Sequence, residues 1–232
     1  MDEGGAGRRR ATLNGADPAH VGTSRGDDPD REELLGVLVE VLETMDRVGS
    51  PFVFIGGIAS MLLGRRRWTR DLDVLVRIED APEVLDALGE AGFRTEQTFP
   101  HWLYKARKGR VQVDVIFRST RDVMLDDEML ERSVWRELEG HRVRLAPPED
   151  LVVMKAVAAD EDTPRYWYDA LAILAHSEID WNYLLRRAHQ HGARRILSLL
   201  LYAQSNDLLV PNGPIEALSR RILGDDAEAR DG

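Results

Sequence analysis

Residues 55–74 have the sequence IGGIASMLLGRRRWTRDLDV, in which two glycines precede two aspartates that alternate with apolar residues. The apolar run Phe52–Ile55 predicts a short strand, and Ile58–Leu63 predicts a helix whose first turn offers unpaired backbone N–H groups to phosphate oxygens. The glycines form the turn between them. Because alternate residues of a strand share a face, Asp71 and Asp73 leave the next strand on the same side. Two adjacent carboxylates suit a hard cation such as magnesium.

Length and composition are those of one sizeable domain or two small ones. The chain has 232 residues, and domains commonly have about 100 to 200. Residues 1–30 carry almost no large apolar side chain that could offset the entropy of ordering, which predicts a disordered tail. The sequence contains neither the apolar centre of a secretion signal nor an apolar run of about 20 residues, so we expect a cytoplasmic protein without membrane contact.

Charge and cysteine content exclude several classes of protein. The sequence contains no cysteine, which excludes disulfide scaffolds, thiolate metal sites and cysteine nucleophiles. The net charge of −10 argues against a globally basic nucleic-acid binder, because Lys and Arg hold the phosphate backbone. A local basic groove is still compatible with that charge.

The remaining pattern predicts an α+β protein, with a small mixed sheet and packed helices followed by a C-terminal helical bundle. Helical spacing and turn residues predict helices at 31–48, 80–91 and 121–136 and extended segments at 93–99, 102–107, 111–117 and 142–145. After Pro147-Pro148 the pattern is helical throughout. The predicted organisation is a catalytic domain at 31–146, a helical domain at 147–224 and a frayed tail at 225–232.

A third acid, Asp114, lies in the apolar segment Val113–Phe117. An uncompensated charge is costly to bury there, so the side chain needs a partner. A hairpin through Lys108-Gly109 could place its strand beside the strand of the first two aspartates. The three carboxylates would then converge and could bind two divalent ions that bridge a triphosphate. The alternative is that Asp114 pairs with an arginine such as Arg67 or Arg70.

The glycine pair, the spacing to Asp71-Leu72-Asp73 and the later Asp114 resemble the signature of the DNA polymerase beta-like nucleotidyltransferase superfamily. Within it, Arg67–Asp73 and a helical second half that contains Lys155 and Tyr168-Asp169 are similar to the nucleotidyltransferases of abortive-infection and toxin–antitoxin systems. The resemblance extends over about residues 48–174. Many relatives have Gly-Ser where this chain has Gly56-Gly57.

The resemblance implies the nucleotidyltransferase fold and a metal-dependent enzyme that transfers a nucleoside monophosphate from a nucleoside triphosphate, with Mg²⁺ or Mn²⁺ as cofactor. It implies metal binding by Asp71, Asp73 and Asp114, with Asp169 as a further catalytic residue. The residues expected to bind the nucleotide are Gly56, Gly57, Ser60, Arg67, Thr69 and Lys155.

Lys155 and Asp169 each interrupt an otherwise apolar helix. Lys155 could extend its amine to solvent along apolar surface. The alternative is that it contacts the triphosphate or forms an ion pair with Asp169, and the matching lysine of the family contacts the nucleotide. Asp169 lies too far inside its helix to act on the helix dipole, and its family counterpart supports catalysis.

The acceptor is predicted from basic and aromatic residues near the acids. Two basic clusters and three aromatic residues could line one groove of the kind that binds single-stranded nucleic acid: Arg65, Arg66, Arg67 and Arg70; Lys105, Arg107, Lys108 and Arg110; and Trp68, Trp102 and Tyr104. The arginines could instead only neutralise the aspartates and the triphosphate. Together with the toxin-like resemblance, the clusters favour RNA, specifically the 3′ end of tRNA, and a cognate antitoxin as partner.

Three alternatives remain open. A small cationic acceptor such as an aminoglycoside would suit the acidic protein, and a protein acceptor is a further alternative. A nucleotide-binding regulator without activity is the third, although a degenerate relative would usually have lost one of the three carboxylates.

Overall fold

The computed structural model describes residues 29–65 and 67–228, without the side chains of 225–228. Of the predicted tail at 1–30, residues 1–28 lie outside the described residues. Arg66 and residues 229–232 also lie outside them. The helices are α1 Arg31–Val48, α2 Gly56–Leu63, α3 Ala81–Glu90, α4 Asp127–Arg132, α5 Pro148–Ala158, α6 Arg165–His176, α7 Trp181–His191, α8 Ala193–Ser205 and α9 Asn212–Glu228. Within the described ranges, none of these helices is long and apolar enough to cross a membrane.

Seven strands form one mixed sheet, which confirms the predicted α+β class. They are β1 Phe52–Phe54, β2 Asp71–Val76, β3 Arg94–Phe99, β4 Leu103–Lys108, β5 Val111–Ile116, β6 Val134–Leu138 and β7 His141–Leu145. Their order across the sheet is β3-β4-β5-β2-β1-β7-β6. Strand β2 is parallel to β5, and β1 is parallel to β7, whereas the other neighbours are antiparallel. Helices α1 and α3 pack on the same part of the sheet.

Helix α5 is central to the helical half. Its residues from Pro148 to Ala156 are all buried, and it packs against α2, α6, α7 and α8. A helix that is covered on every side belongs to the core of a protein. The buried apolar residues of the sheet and of the helical half form one continuous cluster. A division into domains at residue 146 stays a prediction.

The predicted helix over Arg121–Arg136 is wrong. A short 3-10 turn occupies Thr120–Asp122, helix α4 covers only Asp127–Arg132, and Val134 begins strand β6. The Asp126 side chain accepts a hydrogen bond from the Met129 N–H at 2.8 Å and so starts α4 late. Glu139 and Gly140, with φ of 50° and 83°, form the tight turn between β6 and β7. Turns of this hand match the twist of a β-hairpin.

A buried polar network joins helices α5 and α7 to the segment before α4. The carboxylate of Asp150 is fully buried and accepts hydrogen bonds of 2.5 Å from both Arg187 Nε and the Tyr183 hydroxyl. Arg187 also donates from Nη1 to Asp126 at 2.7 Å. Because Asp126 precedes the helical half in sequence, this network fastens the two halves of the molecule together.

Candidate active site

A cleft of about 440 Å³ lies between the start of β2, the N-terminus of α2 and helices α5 and α6. Of the residues predicted to act, nine line this cleft: Gly56, Gly57, Arg67, Thr69, Asp71, Asp73, Asp114, Lys155 and Asp169. Ser60 is placed differently. It is buried in α2, and its hydroxyl donates to the Gly56 carbonyl at 2.7 Å. A phosphate contact by Ser60 remains a prediction.

The three aspartates converge as predicted because β5 lies beside β2. Asp73 and Asp114 are directly opposite each other in this parallel pair, and Asp71 is opposite Gln112. Leu72 and Val74 are fully buried, so the alternation of β2 turns both of its aspartates towards the cleft. The hairpin of β4 and β5 supplies the third acid, as its sequence predicted.

Crowding of the carboxylates changes their acidity. Burial, together with the charges of Asp71 and Asp114, raises the pKa of Asp73 to about 7, although the Gly57 N–H and Lys155 oppose the shift. Burial also raises the pKa of Asp114, against the opposing charge of Lys105. Repulsion between carboxylates and removal from water both favour the protonated form. Without a bound cation, the negative charges of the three carboxylates are therefore incompletely balanced by positive charge.

The donor set fits a divalent cation, because three carboxylates offer hard oxygen ligands and their mutual repulsion would be relieved by such an ion. One oxygen of each acid is held by a neighbour. Thr69 Oγ1 donates to Asp71 at 2.5 Å, Gly57 N–H to Asp73 at 3.2 Å and Gln112 Nε2 to Asp114 at 2.8 Å. Among the side chains that the structure describes, no three acidic or histidine residues form a ready-made ligand cluster.

The glycine pair is required by close packing around the aspartates. Gly56 has a φ of +57°, and a Cβ there would lie 1.7 Å from Asp73 Oδ2. A Cβ on Gly57 would lie 2.0 Å from Thr69 Oγ1. The pair therefore lets the start of α2 approach the acidic strand directly. In this structure the Gly57 N–H is already bonded to Asp73.

Lys155 and Asp169 form the opposite wall, and the predicted contact between them is present. Lys155 Nζ lies 3.6 Å from Asp169 Oδ2, and Arg65 Nη1 lies 3.9 Å from the other oxygen. The amine also lies 4.6 Å from the centre of the Tyr166 ring. Burial lowers the pKa of Lys155, although Asp169 and Asp73 oppose the shift. The lysine is thus a buried cation that faces the acids across the cleft.

Sequence reasoning missed three cleft-side residues. Gln112 orients Asp114, and its carbonyl accepts a hydrogen bond from Arg107 Nη2 at 3.1 Å. Arg165 and Tyr166 line the cleft at the start of α6, with the guanidinium 5.3 Å from the ring centre. A signal existed for two of them. Gln112 is two residues from Asp114 on a strand, and Arg165 is four residues from Asp169 on a helix.

Comparison with known proteins gives a family match. Residues 30–205 match the model of a family described as uncharacterised nucleotidyltransferase, which covers more than half of the chain. The match confirms the resemblance that the glycine and aspartate motifs indicated. No curated protein sequence matches at a significant level.

Several solved structures align with this chain at low identity. The antibiotic-resistance factor ANT(2″)-Ia is 15% identical over 88% of this chain and 100% of its own, with a TM-score of 0.47. An antigenic nucleotidyltransferase-like protein from Paracoccidioides brasiliensis is 15% identical over 82% and 95%, with a TM-score of 0.48. A tRNA-processing enzyme is 15% identical over 81% and 59%, with a TM-score of 0.36.

Proposed function

This chain belongs to a family of uncharacterised nucleotidyltransferases, and we propose that it transfers a nucleoside monophosphate from a nucleoside triphosphate to the 3′ hydroxyl of an RNA, with tRNA as the first candidate. The observation that carries the proposal is the pairing of Asp73 with Asp114 on adjacent strands, opposite the buried amine of Lys155. The carboxylates suit a metal ion that accompanies a triphosphate, and the amine suits the phosphate oxygens.

In the proposed reaction the acceptor oxygen forms a bond to the α-phosphorus, and the bond from that phosphorus to the pyrophosphate oxygen breaks. Asp114 takes the proton of the acceptor hydroxyl, and its raised pKa makes the carboxylate a stronger base for that role. Lys155 and Arg67 bind phosphate oxygens, and Asp169 acts through Lys155 by holding its amine. Catalysis depends on positioning and charge neutralisation rather than on a protein nucleophile.

Asp71, Asp73 and Asp114 would hold Mg²⁺ or Mn²⁺. Such an ion would supply positive charge to the triphosphate and to the leaving pyrophosphate. The protein fixes where that charge lies, because neighbouring groups orient each of the three carboxylates. Gly56 contributes by leaving room for the Asp73 carboxylate.

The composition of the cleft wall favours RNA as acceptor. Its wall combines basic and aromatic side chains, including Arg67, Arg165, Trp68 and Trp102, a mixture that suits phosphates and bases. A cationic small molecule is the second candidate, since the protein has a net charge of −10. The toxin–antitoxin relationship and a cytoplasmic location stay predictions.

The test is incubation with each α-labelled nucleoside triphosphate, with Mg²⁺ or Mn²⁺, and with separate pools of tRNA, aminoglycosides and cell protein. We expect the label to enter the RNA and pyrophosphate to be released. Addition of EDTA should abolish the labelling. Label that enters only the small molecules or only protein would overturn the RNA assignment. If the folded wild-type protein labels none of the pools, the RNA assignment is also overturned.

Replacing Gly56 with alanine is expected to reduce transfer roughly 100-fold, because the added Cβ displaces Asp73, and a misplacement of about 1 Å has an effect of this size. The matched control is Gly49→Ala. Gly49 has a φ of +76° with nothing within 4 Å of an added Cβ, so that variant carries the backbone strain without the collision. Equal activities of the two variants would contradict the prediction.

Replacing Gln112 with leucine is expected to lower kcat roughly 10-fold with little change in KM for the nucleotide. The reason is that Asp114 loses the donor that orients it, while the phosphate-binding side of the cleft is untouched. Gln112→Asn shortens the amide and should lie between wild type and Gln112→Leu. A raised KM with unchanged kcat would assign Gln112 to binding instead.

A further inference from the structure

We propose that the open face of strands β5, β4 and β3, beside the acidic cleft, binds the single-stranded 3′ end of the acceptor RNA; the inference rests on the proposed function. Residues that are opposite in register form rows across these strands. One row consists of Asp71, Gln112, Arg107 and Arg94, and the next consists of Asp73, Asp114, Lys105 and Glu96. The rows are roughly 7 Å apart.

This face is the exposed one of the two. The alternate side chains of β5, Val111, Val113 and Val115, are fully buried on the side where α1 and α3 pack. Gln112, Asp114 and the other members of the two rows are half-buried or exposed. The catalytic acids therefore lie at one edge of a polar surface that continues outward over three strands.

The charge of this surface favours a polyanion. Beyond the acids it presents Lys105, Arg107 and Arg94 against a single carboxylate, that of Glu96. Within the described part of the chain, neither Arg94 nor Lys105 is in a salt bridge. In a protein of net charge −10, this local excess of positive charge would attract phosphates and repel a cationic acceptor.

An aromatic pair lies at the other end of the same face. Phe99 and Trp102 are 47% and 41% exposed, and their rings stack with centroids 5.2 Å apart at an angle of 15°. Trp102 also lines the cleft that contains Asp114. A terminal base stacked on this pair would leave its ribose close to the acid that accepts the hydroxyl proton.

Arg107 connects this surface to Asp114 through hydrogen bonds. It donates to Gln112 at 3.1 Å, and Gln112 donates to Asp114 at 2.8 Å. A phosphate of the acceptor held by Arg107 would thus lie two hydrogen bonds from the third carboxylate. Binding of the strand and orientation of that acid would be coupled.

The test is equilibrium binding of a labelled single-stranded RNA by the full-length protein, without nucleotide, at several salt concentrations. Arg94→Gln/Arg107→Gln should weaken binding and lower the slope of log Kd against log salt by about 1.4, since each phosphate contact on a single strand contributes about 0.7. Trp102→Leu should weaken binding roughly 10-fold without changing the slope. The control is Arg136→Gln/Arg142→Gln, which removes two exposed arginines from strands β6 and β7.

The outcomes separate this inference from the proposed function. If wild type labels RNA but the face variants bind it as the control does, the surface assignment is wrong and the function stands. If the face variants lose binding but wild type labels no RNA, the function is wrong and the surface stands. If Arg94→Gln/Arg107→Gln binds an aminoglycoside more tightly than wild type and binds RNA equally well, the assignment of this surface to RNA is wrong. A cationic acceptor would then be favoured.

Discussion

Replacing Asp73 with asparagine is expected to reduce nucleotidyl transfer roughly 1,000-fold, the upper range for loss of one preorganised electrostatic group. Asp73 is opposite Asp114 and two residues from Asp71, so its loss removes the central carboxylate of the site. The side chain keeps its shape, and the Gly57 N–H can still donate to the amide oxygen. The measurement is single-turnover transfer with labelled nucleotide, and near-wild-type transfer by this variant would rule out the catalytic assignment.

The same variant should become more stable relative to wild type as the pH rises. In the folded protein the pKa of Asp73 is raised from 3.8 to about 7, so the proton is held more tightly than in the unfolded chain. The resulting stabilisation is complete below pH 3.8 and is lost as the pH rises through about 7. Asparagine cannot ionise and escapes that loss.

Between pH 5 and pH 8 the free energy of unfolding of Asp73→Asn should therefore rise, relative to wild type, by on the order of 2 kcal/mol. Denaturant unfolding in the presence of EDTA measures this difference without bound cation. Asp127→Asn, at an exposed position, is the control and should show no such trend. A pH-independent difference between Asp73→Asn and wild type would mean that the carboxylate is not crowded in the folded state.

Replacing Asp150 with alanine is expected to lower the free energy of unfolding by about 3 to 5 kcal/mol, because it removes the fully buried one of the two carboxylates that pair with Arg187 and leaves the buried Nε of that arginine unpaired. Arg187 is only 4% exposed, and Asp150 accepts its Nε hydrogen bond. For a protein of this size the melting temperature should fall by roughly 6 to 20 °C. Thermal melts of the purified variants measure the effect.

Two further variants identify the cause. Asp127→Ala removes an acid that is 81% exposed and paired with Arg77, and exposed pairs contribute at most about 1 kcal/mol. Asp150→Leu/Arg187→Met removes both buried charges and should recover much of the lost stability. If the double variant were no more stable than Asp150→Ala, lost packing rather than the unpaired charge would explain the effect.

Much of the fold followed from periodicity in the sequence. Helix α1 begins and ends at the predicted residues because its apolar spacing and its ends are clear. The predicted helix over 121–136 was wrong, since the structure of residues 121–139 depends on backbone conformations with positive φ at Arg121, Asp122 and Glu139. These are residues that rarely adopt that conformation, and their side chains give no sign of it.

The acids of the site were identifiable because a charge inside an apolar strand is unusual. Their partners were less visible for a physical reason. Gln112 is two residues from Asp114 on the same strand, whereas Arg107 becomes connected to that acid only through the register of β4 against β5. Cross-strand pairing is a property of the folded sheet, so a linear pattern does not contain it.

The tryptophans of the cleft give the protein its own optical reporter. Two of the five tryptophans in the sequence, Trp68 and Trp102, lie in the cleft wall and are 40% and 41% exposed. A ligand that enters the cleft replaces water around these two indoles. The intrinsic fluorescence of the unlabelled protein should therefore follow occupancy of the cleft in real time, before any chemistry takes place.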